Sequence, residues 1–323
     1  MKAIQITSPG GPDVLALADL PSPTLRPDAV RVRVAAAGVN FIDTYQRTGH
    51  YPLHLPFVPG LEGAGTVIEA GSASGFQAGD RVAWTGIPGS YAEEAVIPAD
   101  RAARVPDGVP LDLAAAVMLQ GMTAHYLTVD TFPLAPGHTA LVLAAAGGTG
   151  RLTCQMARSR GARVIGAVSS DEKEAVARAA GAHEVIRYDR APLAAEARRL
   201  TDGRGVDVVY DGVGRATFDQ SLDALRVRGT LVLFGGASGP VPPFDPAVLN
   251  TKGSLYLTRP SLFHYVRTAE EYAARAHAVL GAVADGTLDI RISHRFALAE
   301  AGAAHRALEG RETTGKILLM NGD

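Results

Sequence analysis

The stretch "AAAGGTG" at residues 144–150 limits the possible folds more than any other in the chain. It follows "HTALVL", a short β-leaning apolar run, and precedes "RLTCQMARSRGARVIGAV", which reads as a helix and then a second strand. A glycine-dense elbow between strand and helix is where backbone approaches a phosphate and free helical N–H groups point at it. Aligned on G-x-G-x-x-G, the elbow places Ala145, Gly147 and Gly150 at the fingerprint positions, with Gly148 and Thr149 between the last two. Alanine can stand first if the turn is not strongly left-handed there. Gly147 admits a pyrophosphate close to backbone, and Gly150 lets the helix pack tightly on its strand.

The surroundings support a dinucleotide site. From 139 to 257 the strands "TALVLA", "ARVIGAV", "HEVI", "GVDVVYD", "GTLVLFG" and "GSLYLT" alternate with helical stretches near 149–160, 171–180, 191–201 and 215–226. Such alternation predicts a parallel sheet covered by helices on both faces. Binding of NAD usually places an Asp or Glu at the end of the second strand. Ser169 and Ser170 stand there instead, followed by Lys173, with Tyr188 after the next strand. Hydroxyls and a cation suit a 2′-phosphate, so the expected cofactor is NADPH. Asp171 complicates this, since it could repel the phosphate or simply cap the helix.

Residues 1–120 have another texture: "MKAIQI", "AVRVRVAAAGV", "GAGTVIEAG", "FQAGDRVAW" and "GSYAEEAVIP" are β-rich segments punctuated by Gly, Pro and Asp. They predict a twisted, partly barrel-like β domain. "LDLAAAVMLQGMTAHYLTV" reads as a helix with Asp112 near its start. After the α/β block come a helix around 262–285, "LDIRISHRF", a helix at "LAEAGAAHRALEG" and a final strand "GKILLM". At 323 residues two interleaved domains are expected, 1–124 with 265–323 and 125–264.

Composition excludes several classes. The net charge of −2, with no basic–aromatic stripe, argues against nucleic acid as the main partner. One cysteine, Cys154, rules out a disulfide framework or a multi-cysteine metal site, and it is expected on a buried helix face. The N-terminus lacks a signal-peptide pattern and no apolar run is long enough to span a membrane, so a cytoplasmic protein is expected. His50 and His54 have helical metal-ligand spacing, but Pro52 between them prevents the helix. His125 and His138 read as structural. No G-x-S-x-G nucleophile elbow occurs.

Seven blocks, "GVNFIDTYQRTGHYP", "PGLEGAGTV", "AGDRVA", "LQGMTAHYL", "AAAGGTG", "YDGVG" and "LNTKGSLYLTRPSL", give a near full-length match. Together they resemble the zinc-independent quinone oxidoreductases of the medium-chain dehydrogenase/reductase superfamily. The resemblance implies an α/β protein with a GroES-like β-rich catalytic domain and a Rossmann doubly wound parallel-sheet nucleotide-binding domain, NADPH between them, and a homodimer. It implies no metal, because zinc-using relatives carry cysteine at the position of Asn40 and histidine at that of Leu61. It places Asn40, Asp43 and Tyr45 near the nicotinamide and its ribose. Tyr51 matches a proton-donating tyrosine of enoyl reductases or else forms pocket wall, and Asp43 could alternatively be a structural turn residue. Thr123 and Tyr126 match positions at the nicotinamide end, with core packing the alternative. Val213, Phe234, Gly235 and Gly236 fall on loops beneath the cofactor, and Lys316 approaches it from the last strand. The implied substrate is a quinone, or alternatively a conjugated carbonyl such as an enal, enone or enoyl thioester. Electron-poor acceptors of this kind need positioning and neutral donors rather than a metal.

Overall fold

The computed structural model describes residues 1–310 and 313–322. In chain order the first elements are β1 (Lys2–Gln5), β2 (Ala16–Asp19), β3 (Ala29–Val39), α1 (Phe41–Arg47), β4 (Glu62–Ala70), β5 (Arg81–Thr85), β6 (Glu94–Pro98), β7 (Ala103–Arg104) and α2 (Leu111–Tyr126). Next come β8 (Thr139–Leu143), α3 (Gly148–Ser159), β9 (Arg163–Val168), α4 (Asp171–Ala179), β10 (Glu184–Arg187) and α5 (Leu193–Arg199). They are followed by β11 (Val206–Asp211), α6 (Phe218–Asp223), β12 (Leu225–Leu233), α7 (Ala247–Thr251) and β13 (Tyr256–Thr258). The chain closes with α8 (Ala269–Ala284), β14 (Ile292–Ala297), α9 (Ala301–Glu309) and β15 (Lys316–Met320). Two compact units result, Met1–Met122 with Val266–Asp323, and Thr123–Tyr265.

The first unit is organised on β3. Val30, Val32 and Val34 alternate with Arg31 and Arg33, so one face enters the core and the other meets polar surroundings. Arg31 pairs with Glu69 of β4 at 3.2 Å and Glu94 of β6 at 3.6 Å, tying the three strands on their outer face. Irregularities at Arg31/Val32 and Val34/Ala36 bend this long strand, so it pairs with β6 near its start and β15 near its end. The sheet runs β14-β15-β3-β4-β5-β7, with β6 also on β3. Its core holds Ile4, Val32, Trp84, Tyr91, Ile97 and Ile317, and Trp84 donates its indole N–H to Ser90 Oγ at 2.9 Å.

The second unit has six strands, all parallel, in the order β10-β9-β8-β11-β12-β13. This is the doubly wound arrangement, whose order reverses beside β8. Every residue of β8 is buried, as expected of a strand with both faces covered. The elbow 144–147 leaves the carboxyl end of that strand, at the position where open α/β sheets bind ligands.

Some local expectations need correction. The helix expected over 262–285 is interrupted: a single tight turn covers Leu262–His264, and α8 starts only at Ala269. Thr268 and Glu271 form a reciprocal capping box there, and this local signal outweighs the helical composition before it. The stretch expected to be helical over 215–226 shortens to α6, because Leu225 already belongs to β12. Helix α1 was not expected at all.

Candidate active site

In the second unit the elbow is built on a left-handed residue. That residue is Ala144 (φ 50°), one position before the first fingerprint site. Ala145 therefore escapes the strain its side chain would meet in that conformation. It is accommodated by Gly166 of β9, where an added Cβ would lie 3.0 Å from Ala145 Cβ. Gly147 N–H donates to Ala144 O at 2.8 Å and closes the turn. A Cβ on Gly150 would collide with Ala144 O, so helix and elbow approach this closely only with glycine. Gly147 is the N-cap of α3, with no side-chain cap and no acidic residue in the first turn. The helix start around Gly148, Thr149 and Gly150 thus presents backbone N–H groups and a positive dipole end without a competing protein anion.

Ser169 and Ser170 follow β9, and Ser170 Oγ accepts from the Lys173 N–H at 3.3 Å, capping α4. Asp171 is held by Arg187 and by Arg190, the latter at 2.9 Å. Hydrogen bonding to Arg187 comes first in holding its carboxyl below the usual range. The carboxylate that could have repelled a phosphate is thus paired with Arg190 and with Arg187, which also holds Asp189 at 2.8 and 2.9 Å, and Tyr188 stands between the arginines in sequence, 40% exposed. Neither arginine was singled out in the sequence, although "IRYDR" places both beside Tyr188.

The loops after β11 and β12 are organised by Asp211, a fully buried carboxylate. Its Oδ1 accepts from the N–H groups of Val213 (2.7 Å) and Gly214 (3.0 Å), and its Oδ2 from the hydroxyls of Thr217 and Ser221, both 2.8 Å. Its backbone carbonyl accepts from Phe234 and Gly235. Val213, Phe234, Gly235 and Gly236 are therefore brought to one edge of the sheet. Asp211 was legible only as part of "YDGVG". Tyr126, by contrast, is buried, its ring stacked on Tyr265 at 4.4 Å, which is a packing contact. Thr123 is also buried.

In the first unit Asn40 follows β3 and stands at the N-cap position of α1, its side chain making no bond to the helix. Its N–H donates to Asp43 Oδ2 at 2.8 Å, part of a capping box between residues 40 and 43. The spacing N-x-x-D was the signal for α1. The Asn40 carboxamide is enclosed by protein: Nδ2 donates to Glu62 Oε1 (2.7 Å) and Gly38 O (3.4 Å), while Oδ1 accepts from Lys316 Nζ (2.8 Å) and Gln120 Nε2 (3.2 Å). Lys316 Nζ also contacts Glu62 Oε1, making a fully buried ion pair. Removing one partner of such a pair leaves an uncompensated charge, at a cost of roughly 3–5 kcal/mol. Lys316 was expected from the last strand as a cofactor contact; its ammonium lies in this network. Glu62, the centre of the network, was not singled out.

Asp43 is fully buried, and its Oδ2 also accepts from Tyr91 Oη at 3.0 Å while its Oδ1 has no hydrogen-bond partner. Burial pushes its carboxyl up to about 7. Beyond Tyr91 lies His305, whose Nε2 is 3.2 Å from the phenol and whose Nδ1 is 3.1 Å from Arg47 Nη1. A guanidinium only donates, so Nδ1 accepts and Nε2 carries the hydrogen toward Tyr91, which in turn donates to Asp43. Burial first, and Arg47 second, hold His305 down to about 3, consistent with a neutral ring. Arg47 reaches on to Glu309 at 2.7 Å. Asp43 thus acts on α1 and its neighbours through a cap, the structural of its two expected roles. None of Arg47, Tyr91 and His305 could be connected from sequence, being far apart along the chain.

Tyr45 and Tyr51 do come together. Their rings meet edge to face at 5.4 Å, and His50 stacks on Tyr51 at 5.1 Å. Phe41 adjoins Tyr45 at 6.4 Å, and Tyr51 is 39% exposed. The rings of Tyr45, His50 and Tyr51 form one partly exposed aromatic group. His50 and His54 lie outside any helix, and among the described residues no group of three or more His, Cys, Asp or Glu could hold a metal. Cys154 is buried in α3, its thiol pushed up to about 12 by burial. No helix among the described residues is long and apolar enough to cross a membrane.

Comparison with known proteins adds the following. Residues 26–107 match the alcohol dehydrogenase GroES-like domain and residues 148–280 the zinc-binding dehydrogenase family. The chain is 47% identical to a quinone oxidoreductase of Pseudomonas aeruginosa over 99% of both chains. It is 41% identical to a 2-haloacrylate reductase of a Burkholderia species, over 98% of both. It is similar to the crystal structure of Escherichia coli quinone oxidoreductase complexed with NADPH, with a TM-score of 0.96 at 39% identity, covering 99% of this chain and 100% of that one.

Proposed function

Because the chain belongs to the quinone oxidoreductase family of the medium-chain dehydrogenases and reductases, we propose that it reduces quinones with NADPH and without a metal. The observation that carries the metal-free part is the enclosure of Asn40. Its carboxamide oxygen faces the Lys316 ammonium at 2.8 Å, which disfavours a second cation there, and Leu61 beside Glu62 has no lone pair to give.

The second unit fits NADPH. The uncapped start of α3 takes the pyrophosphate, and Ser169, Ser170, Lys173 and Tyr188 take the 2′-phosphate with Asp171 already neutralised. Val213 and Phe234–Gly236 support the dinucleotide from below, with Thr123 toward the nicotinamide. NADPH, when bound, supplies the hydride. The aromatic group of Tyr45, His50 and Tyr51 holds a planar acceptor, and neutral donors meet the charge developing on its oxygen. Asn40 is the frame on which that group is set rather than a free donor. The test is NADPH oxidation by purified protein against a panel of quinones and a panel of enals and enones. Quinone turnover no faster than a protein-free control would sink the proposal.

A second acceptor class is favoured by one observation. The half-exposed Tyr51 hydroxyl could protonate carbon after hydride addition to an activated C=C bond, and the Burkholderia relative is a 2-haloacrylate reductase. Higher kcat/KM on the enone panel, lost in Tyr51→Phe, would move the assignment to that class. The expected homodimer draws support from β13, a three-residue edge strand with Tyr256 63% exposed.

A further inference from the structure

Glu62 is a carboxylate with no exposure at all, and each of its oxygens is used. Oε1 takes the Asn40 Nδ2 hydrogen bond and the Lys316 ammonium, while Oε2 accepts from the Leu119 N–H of α2 at 2.6 Å. Four pieces of structure therefore meet on one side chain: β4, which carries it, β15, α2 and the junction of β3 with α1. The junction is shaped to admit it, since a Cβ on Gly38 would overlap the Glu62 carboxylate. The pair grips the Asn40 carboxamide at both ends, Glu62 at the nitrogen and Lys316 at the oxygen. Asn40 in turn is the residue from which α1 starts, its own N–H held by Asp43 of that helix, and α1 carries Tyr45 and leads into His50 and Tyr51.

We propose that Glu62 and Lys316 are positioning residues for the reduction, their buried ion pair clamping Asn40 and thereby setting where α1 presents its aromatic group to the acceptor. The inference rests on the proposed reduction, because only there does that group meet a substrate. Hydride transfer requires reacting atoms about 3–3.5 Å apart, and a drift of about 1 Å can cost on the order of a hundredfold. An Asn40 no longer fixed by its side chain leaves the start of α1 free to shift, a direct route to such a drift.

Single substitutions would strand a buried charge, so the test compares two double variants that remove both charges together. In Glu62→Gln/Lys316→Met the glutamine oxygen still accepts from Asn40 Nδ2. In Glu62→Leu/Lys316→Met only the long 3.4 Å bond to Gly38 O is left to it. The expected result is that the leucine double falls about tenfold or more below the glutamine double in kcat with 1,4-benzoquinone, while the two share one NADPH Kd. The side-chain amide of Asn40, followed by 1H–15N exchange, should be protected in the glutamine double and fast in the leucine double. Should the leucine double fail to fold, Asn40→Leu, which retains the ion pair, is expected to show the same low kcat. Equal kcat in the two doubles, or wild-type kcat in Asn40→Leu, would overturn the positioning role. Wild-type protein that binds NADPH but reduces no acceptor would overturn the proposed function instead, and the amide contrast would still decide whether the clamp exists.

Discussion

At the scale of single residues, the proposed preference for NADPH rests on Lys173 and its neighbours. Lys173 lies in the first turn of α4, beside the capping hydroxyl of Ser170 and close in sequence to Asp171. With Asp171 occupied by Arg187 and Arg190, a nearby phosphate meets a cation and hydroxyls rather than a bare carboxylate. Lys173→Ala should therefore weaken NADPH about tenfold or more and NADH about twofold or less, since charge-assisted hydrogen bonds contribute roughly 1.5–3 kcal/mol. Fluorescence titration with both nucleotides checks this; equal losses would remove Lys173 from the 2′-phosphate site. The serines, the lysine and the missing carboxylate were readable in the chain because they lie a few positions apart after one strand. The neutralisation of Asp171 was not, because it depends on β10 pairing beside β9.

At the scale of elements, α1 and α9 are held together through Asp43, Tyr91, His305 and Arg47, and two buried groups with opposite shifts meet in that link. Asp43 has a folded pKa of about 7 against 3.8 for the free group. The folded chain holds a proton that the unfolded chain has released, so this group erodes stability as pH rises from 3.8 to about 7. His305 has a folded pKa of about 3 against 6.5, so its contribution is present above 6.5 and is lost as pH falls toward about 3. Each slope approaches about 1.4 kcal/mol per pH unit, and between pH 4.5 and 6 they oppose each other. In His305→Gln the balancing slope is gone, and stability relative to wild type should fall by about 1.4 kcal/mol for each unit that pH rises through that window. Urea unfolding at several pH values measures it; parallel wild-type and variant curves would show that these two groups do not set the balance. Helix α1 was available in the sequence through the 40–43 capping pattern, yet its anchoring was not, because Tyr91 and His305 reach it from distant segments.

For the whole molecule, the proposed homodimer would form at the open edge of the six-stranded sheet. A second copy continuing that sheet at β13 would cover Tyr256 and pair the strand's outer backbone groups. Tyr256→Lys should shift the protein from dimer to monomer in light scattering with little change in the monomer's secondary structure, and a wild type that is monomeric at micromolar concentration would refute the dimer. By itself the sequence determined the doubly wound unit, the glycine-rich elbow and the absence of cysteine at position 40 and of histidine at position 61. Those properties follow from local spacing, hydrophobic periodicity and the chemistry of individual side chains. Tertiary structure alone decided that Glu62 and Lys316 close around Asn40, that Asp211 gathers the loops after β11 and β12, and that Asp43 is a buried cap. Each depends on strands and helices distant in sequence meeting where water is excluded, and only there does a carboxylate have to find its partners within the protein.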